Sequence, residues 1–188
     1  PLMPSQLVAL SGYISSTPPH NSRYCRMNLS IRKIKPADNA RVAEIIRTVM
    51  PEFDCVGPEY SISDPEVDDM YTAYSVERSA FYVIENQDDE VIYGVGGYGP
   101  LANGDADVCE LRKMYFLPDV RGYGMGKALL QLCIDQARAD DFKAMYLETV
   151  YRMVDADRLY RKFGFEDIDG PMGNTGHSAC DHFMVKDL

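Results

Sequence analysis

Residues 121–126 read RGYGMG, set between an apolar, strand-like run at 111–117 and a helical pattern at 125–138. A strand, a glycine turn and a helix start follow one another there. Such a junction exposes backbone N–H groups at the positive end of a helix dipole, which suits a phosphate. Gly122, Gly124 and Gly126 remove side chains that would hold a phosphate off the backbone, and they accept positive φ where a tight turn needs it. A three-glycine turn is weak evidence alone. Its surroundings give it weight. The strand before it reads CELRKMYFLP, a second apolar strand AMYLETV follows the helix, and a short helix then ends in LYRKFGF.

This order resembles the GCN5-related N-acetyltransferase (GNAT) superfamily. The family's acetyl-CoA signature, Arg/Gln-x-x-Gly-x-Gly/Ala, is matched by Arg121, Gly124 and Gly126. Its later block, a helical tyrosine followed by Gly-Phe, is matched by Tyr160, Gly164 and Phe165. The two blocks cover 108–165, and a looser pattern extends the resemblance over 29–188. The resemblance implies an α/β GNAT fold: a mixed, mostly antiparallel central sheet of six or seven strands flanked by about four helices. It also implies an acetyl-CoA-dependent N-acetyltransferase, with acetyl-CoA as cosubstrate and direct transfer to a primary amine of a small molecule or peptide. Two alternatives stand beside it. One is a binding module that holds acyl-CoA without catalysis; the other is an acyltransferase using a different acyl-CoA, since the turn reads only the CoA part.

Composition bounds the rest. The chain has 188 residues, 46% of them hydrophobic, enough for one domain with a proper core. No apolar run approaches the ~20 residues of a membrane span. Five scattered cysteines without a Cys-x-x-Cys pair suit free thiols in a reducing compartment, so a cytoplasmic location is expected. A net charge of −10 argues against nucleic acid as a partner. The acid is concentrated: residues 51–77 hold eight carboxylates and no lysine or arginine.

Residues 1–28 differ from the rest, with four prolines, five serines and no acid. They read as an extension outside the core fold, faintly similar to a transit peptide. The acetyltransferase domain then runs over 29–188. Residues 29–34 alternate as a half-buried strand does. Pro36 opens a helix whose apolar face is Val42, Ile45, Ile46 and Val49, and Asp64 and Pro65 read as the cap and first turn of a second helix. Residues 80–85 and 91–97 read as a hairpin. In the main helix, Met125, Leu129, Leu132, Cys133 and Gln136 share one side, and Gly164 ends the last helix.

The resemblance assigns roles to particular residues. Backbone N–H groups of Gly122, Tyr123, Gly124, Met125, Gly126 and Lys127 hold the pyrophosphate, with Arg121 shaping the loop. Met114, Tyr115 and Phe116 pair their backbone with the pantetheine arm in the manner of an added strand. Tyr160 donates a proton to the departing sulfur, and Glu110 is the candidate base, with Glu148 or an ordered water as substitutes. His177, Cys180 and His182 have a spacing that fits no structural zinc pattern, so no metal is expected; the glycine-rich loop that carries them can line the acceptor pocket instead. The partners expected are acetyl-CoA and a cationic amine drawn in by the acidic segment, with neither nucleic acid nor membrane; a homodimer is compatible with the sequence.

Overall fold

Ala80, Tyr82 and Ile84 alternate with Phe81 and Val83, and all five are buried. A strand buried on both faces needs a layer of helices on each side. The computed structural model describes residues 27–188 and has that arrangement. The extension read over 1–28 therefore lies, up to residue 26, outside the described residues. Seven strands are present among the described residues: β1 (Leu29–Lys33), β2 (Ala80–Asn86), β3 (Val91–Pro100), β4 (Val108–Phe116), β5 (Ala144–Thr149), β6 (Glu166–Asp167) and β7 (His182–Asp187). Four helices accompany them: α1 (Asn39–Val49), α2 (Met70–Ala73), α3 (Met125–Ala139) and α4 (Val154–Lys162).

The strands form one sheet in the order β1-β2-β3-β4-β5-β7-β6. Every neighbouring pair is antiparallel except β4 and β5. Ala80, Tyr82 and Ile84 pack with Leu129, Leu130, Cys133 and Ile134 of α3 and Tyr160 of α4. Phe81 and Val83 pack with Val42, Ile45, Ile46 and Val49 of α1 and Met70 of α2. Each such fully buried aliphatic or aromatic side chain contributes roughly 1.5–3 kcal/mol relative to exposure. The mixed, mostly antiparallel sheet with helices on both faces is the architecture expected from the sequence.

Two irregularities make the site. The parallel pairing of β4 with β5 covers only Val108 to Glu110 against Ala144 to Tyr146, so the strands part beyond that point. On its other side, β4 slips register against β3 between the pairs Val95–Tyr115 and Gly97–Arg112, leaving Lys113 and Met114 opposite Gly96 alone. Lys113 takes φ 51°, the left-handed region, to absorb the extra residue. A Cβ on Gly96 would stand 3.2 Å from the Met114 Cα, so glycine there lets the two backbones close up.

Some local readings shift. The buried stripe of α3 is Leu129, Leu130, Cys133, Ile134 and Ala137, while Gln136 is exposed and Met125 and Leu132 are half-buried. Burying an amide without a partner is costly, so the helix turns Gln136 to solvent. Asp64 precedes a 3-10 turn, Pro65–Asp68, and makes no side-chain capping bond. Asp69 instead caps α2, accepting from the Thr72 N–H at 3.2 Å.

Candidate active site

The glycine turn lies where β4 ends. Gly122 and Gly124 have φ 83° and 81°, and nothing stands within 4 Å of where a Cβ would be. The α3 N-terminus has no side-chain cap, and the N–H groups of Gly124 to Lys127 have no backbone acceptor outside the helix among the described residues. These are the orphan donors that make a helix start an anion seat. Arg121 does not face this seat with its Nε, which donates to the Phe116 carbonyl at 2.9 Å; its Nη1 pairs with Glu52 at 2.8 Å. It fastens the turn to the end of β4, as the sequence reading allows.

A cleft of about 580 Å3 opens from this turn. Met114, Tyr115 and Phe116 of β4 form one wall, and Val154, Ala156 and Leu159 of α4 face them. A second cavity, of about 290 Å3, continues on the far side of the parted strands. Met114, Tyr115, Met153 and Tyr160 line both. Tyr160 thus stands at the junction. It is 7% exposed, its ring lies 5.8 Å from Phe165, and burial raises its phenol above the usual range. The phenol therefore holds its proton at neutral pH.

The second cavity holds the charged residues of the site. Glu110 is 4% exposed; burial pushes its carboxyl up, against the pull of Arg112, whose Nε donates to Oε2 at 2.6 Å. Burial would also raise Glu148, but hydrogen bonds outweigh it and hold the group below the usual carboxylate range. The Tyr146 and Thr175 hydroxyls donate to its two oxygens at 2.8 Å each, and His177 Nδ1 is 3.6 Å away. His177 Nε2 sits 3.0 Å from Asp64. Burial works against the imidazolium, yet Asp64 and Glu148 prevail and lift its pKa to about 9. Lys113, with its side chain 2% exposed, reaches Asp64 at 2.5 Å and Glu66 at 3.2 Å. Burial would raise Asp64 too; His177 and Lys113 outweigh it.

The sequence reading brought forward Glu110, Glu148, Tyr160 and the loop carrying His177, and the fold gathers all of them around one cavity. It missed Arg112, Lys113 and the second role of Asp64. A signal was present: Arg-Lys inside the apolar strand VCELRKMYF is a charge pair that a buried strand must compensate. His182 does not join His177. It is buried in β7, with Nε2 2.8 Å from Asp167 and its ring stacked 4.3 Å from Tyr151. Glu110, Glu148 and His177 could offer a cation ligand atoms within 4.8 Å of one another, but Arg112 and the imidazolium already supply positive charge there.

Of the eight acids at 51–77, Asp64 and Glu66 reach the cavity. Glu52 pairs with Arg121, Asp68 with Arg47 at 2.7 Å, and Asp69 caps α2. Cys180 also lines the cavity, its thiol pushed up to about 12 by burial. Cys55, Cys109, Cys133 and Cys180 are free thiols. Among the described residues no helix is long and apolar enough to cross a membrane.

A parted parallel strand pair beside a glycine turn and an uncapped helix start places an open strand edge next to an anion seat. Residues 42–165 match the model of the acetyltransferase (GNAT) family. The chain is 40% identical over 159 residues to the uncharacterized N-acetyltransferase YjgM of Escherichia coli (strain K12), covering 84% of this chain and 94% of that protein. Among solved structures, a GNAT-family acetyltransferase from Staphylococcus aureus Mu50 superposes with a TM-score of 0.72 at 21% identity, covering 85% of this chain and 99% of that one. The structure of yncA from Salmonella typhimurium with its cofactor acetyl-CoA superposes with a TM-score of 0.66 at 23% identity, covering 86% and 94%. The chain belongs to the acetyltransferase (GNAT) family and is an N-acetyltransferase of that type.

Two outcomes are expected from this geometry. Gly124→Val places a branched side chain at φ 81° and over the anion seat, so calorimetric binding of CoA should vanish while the far-ultraviolet circular dichroism stays folded. Unchanged affinity would remove the turn from the CoA site. The second concerns His177, which faces Asp64, Glu148 and, more distantly, Lys113 and Glu110. Its folded pKa near 9 lies above its ordinary 6.5, so its bonding contributes stability in full below about pH 6.5 and loses it as pH rises through 9. The urea-unfolding gap between wild type and His177→Gln should shrink over that window; a gap that is flat or widening contradicts the assignment.

Proposed function

We propose that residues 29–188 form an acetyl-CoA-dependent N-acetyltransferase domain that moves acetyl directly onto a primary amine of a small molecule or peptide. The observation that carries this reading is the junction at Tyr160, where the cleft beside the glycine turn meets the charged cavity. The pyrophosphate takes the free N–H groups of Gly122 and of Gly124 to Lys127, while that of Tyr123 is turned to the Val120 carbonyl at 3.5 Å. The pantetheine arm lies along Met114, Tyr115 and Phe116, in the gap that β5 leaves open. The thioester then reaches the junction with the acceptor amine on the other side.

The amine must lose a proton before it attacks, and the CoA sulfur must gain one as it leaves. Glu110 suits the first task better than Glu148. Glu148 accepts from two hydroxyls, faces the His177 ring at 3.6 Å and is held below its ordinary range. Glu110 has one oxygen on Arg112 and burial that raises its proton affinity. Glu110 takes a proton from the ammonium, the neutral nitrogen forms a bond to the thioester carbon, and the C–S bond breaks as the Tyr160 phenol donates to the sulfur. The second nitrogen proton returns through water to the Tyr160 oxygen, while Glu110 gives its own to solvent. Cys180 is a poor covalent carrier because its thiol stays protonated, which favours direct transfer.

The acceptor enters as a cation. Asp64, Glu66, Glu110 and Glu148 line the cavity against Arg112, Lys113 and His177, leaving one carboxylate unmatched, the complement of one ammonium. Recruitment thus rests on the cavity rather than on the whole acidic segment, most of whose other charges face solvent or partners within the fold.

Tyr160→Phe keeps the packing and removes the donor. In a steady-state assay of acetyl-CoA with a panel of amines, kcat should fall by about a hundredfold, the usual scale of a general acid, with CoA affinity intact. A loss below threefold reduces Tyr160 to packing. Absence of turnover in the wild type with every amine, despite tight acetyl-CoA binding, would favour the binding-module alternative. Glu110→Gln should also lower kcat/KM by about a hundredfold and abolish the acidic limb of its pH profile. A profile that keeps that limb assigns the base elsewhere.

A further inference from the structure

A third cavity, of about 360 Å3, lies between α3, the end of α4 and β7. Lys127, Arg138, Lys162 and Lys186 line it, with no carboxylate among its lining residues, in a chain of net charge −10. Four cations around one hollow repel one another unless an anion joins them. Intramolecular partners do not supply it. Among the described residues, no ion pair engages Lys127, Lys162 or Lys186; Arg138 makes only a 3.5 Å contact with exposed Asp135. On α4 the neighbouring Arg161 is spent on Asp157 and Asp167, at 3.0 and 2.9 Å, which leaves Lys162 for the hollow.

The backbone makes room for this convergence. Gly164 has φ 82°, and a Cβ there would stand 3.3 Å from the Lys186 Nζ, so a side chain at 164 would press on that ammonium. Lys127 supplies the link to the site already described, because it lines both this hollow and the cleft beside the glycine turn. A ligand whose pyrophosphate sits on the start of α3 therefore has its next segment at the mouth of the basic hollow.

We propose that this hollow is the subsite for the 3′-phosphate of the CoA nucleotide, held by Lys162 and Lys186 together with Lys127. The proposal rests on CoA occupying the glycine-turn cleft. In CoA, one ribose separates the pyrophosphate from the 3′-phosphate monoester. A monoester carries about −1.5 to −2 charges at neutral pH, which suits several point-charge ammonium groups better than one planar fork. Lys162 and Lys186 are then determinants of donor specificity, selecting CoA over its dephosphorylated form without touching the thioester.

The test is calorimetric titration of the full chain with CoA and with 3′-dephospho-CoA. Wild type should bind CoA at least tenfold more tightly. Lys162→Met with Lys186→Met should cut that preference to less than threefold, by weakening CoA alone and leaving 3′-dephospho-CoA affinity as it was. Lys143→Met, a control at an exposed lysine outside the hollow, should retain the full preference. Three results overturn the proposal: equal binding of the two ligands by wild type, a preference undiminished in the double variant, or a double variant that loses both affinities alike. All three leave CoA in the cleft. Failure of wild type to bind either ligand would instead remove the underlying donor assignment, and this subsite with it.

Discussion

The ion pair of Lys113 with Asp64 governs the charged cavity and the loops around it. Lys113 sits on the bulge of β4, in a left-handed conformation that costs a non-glycine residue on the order of 1–2 kcal/mol. Its ammonium is removed from water and meets Asp64 and Glu66. A desolvated charge of this kind demands its partners: removing one typically costs about 3–5 kcal/mol. The loop bearing Asp64 is thereby fixed over the cavity, and Asp64 in turn holds His177 from the loop after β6. One bulged residue therefore orders two loops far apart in sequence. His177 then presents its other nitrogen toward Glu148. Strain in the strand and burial of the charge are offset by the network that they position.

The cleft beside the glycine turn follows a different logic, that of local backbone geometry. Glycines at left-handed φ, an uncapped helix and a strand edge left unpaired on one side are all consequences of nearby residues. The two meet at Tyr160, buried and protonated. Such a division lets the cavity loops vary while the groove beside the glycine turn keeps its form, the usual relation of a scaffold to the loops it carries.

The same division explains what could be read in advance. The alternation of β1, the hairpin of β2 and β3, the glycine turn, the last helix with Tyr160 and the order of elements are short-range patterns, and they were legible. Glu110 and Glu148 were visible as acids in apolar strands. The Lys113–Asp64–His177 chain was not, because its members are 49 and 113 residues apart. Nor does a lysine announce positive φ as a glycine does. Asp64 before Pro65 carries the local signature of a helix cap, and tertiary pairing overrode it. Gln136 fitted the helical period on one side of α3, but the sheet takes a stripe centred on Ile134 and Ala137.

The parting of β4 from β5 has a thermodynamic corollary. The cleft exists because the sheet forgoes hydrogen bonds beyond Glu110 and Tyr146. Backbone groups that face the seam have no ladder partner across it. In the proposed mode of binding, an extended ligand with amides of its own fills the seam as a missing strand would, and it binds only the folded chain. Occupancy then raises the unfolding free energy by mass action, about 2.7 kcal/mol at a hundredfold excess over the dissociation constant. Under that mode of binding, the open seam is the place where the protein's stability becomes a readout of its cosubstrate supply.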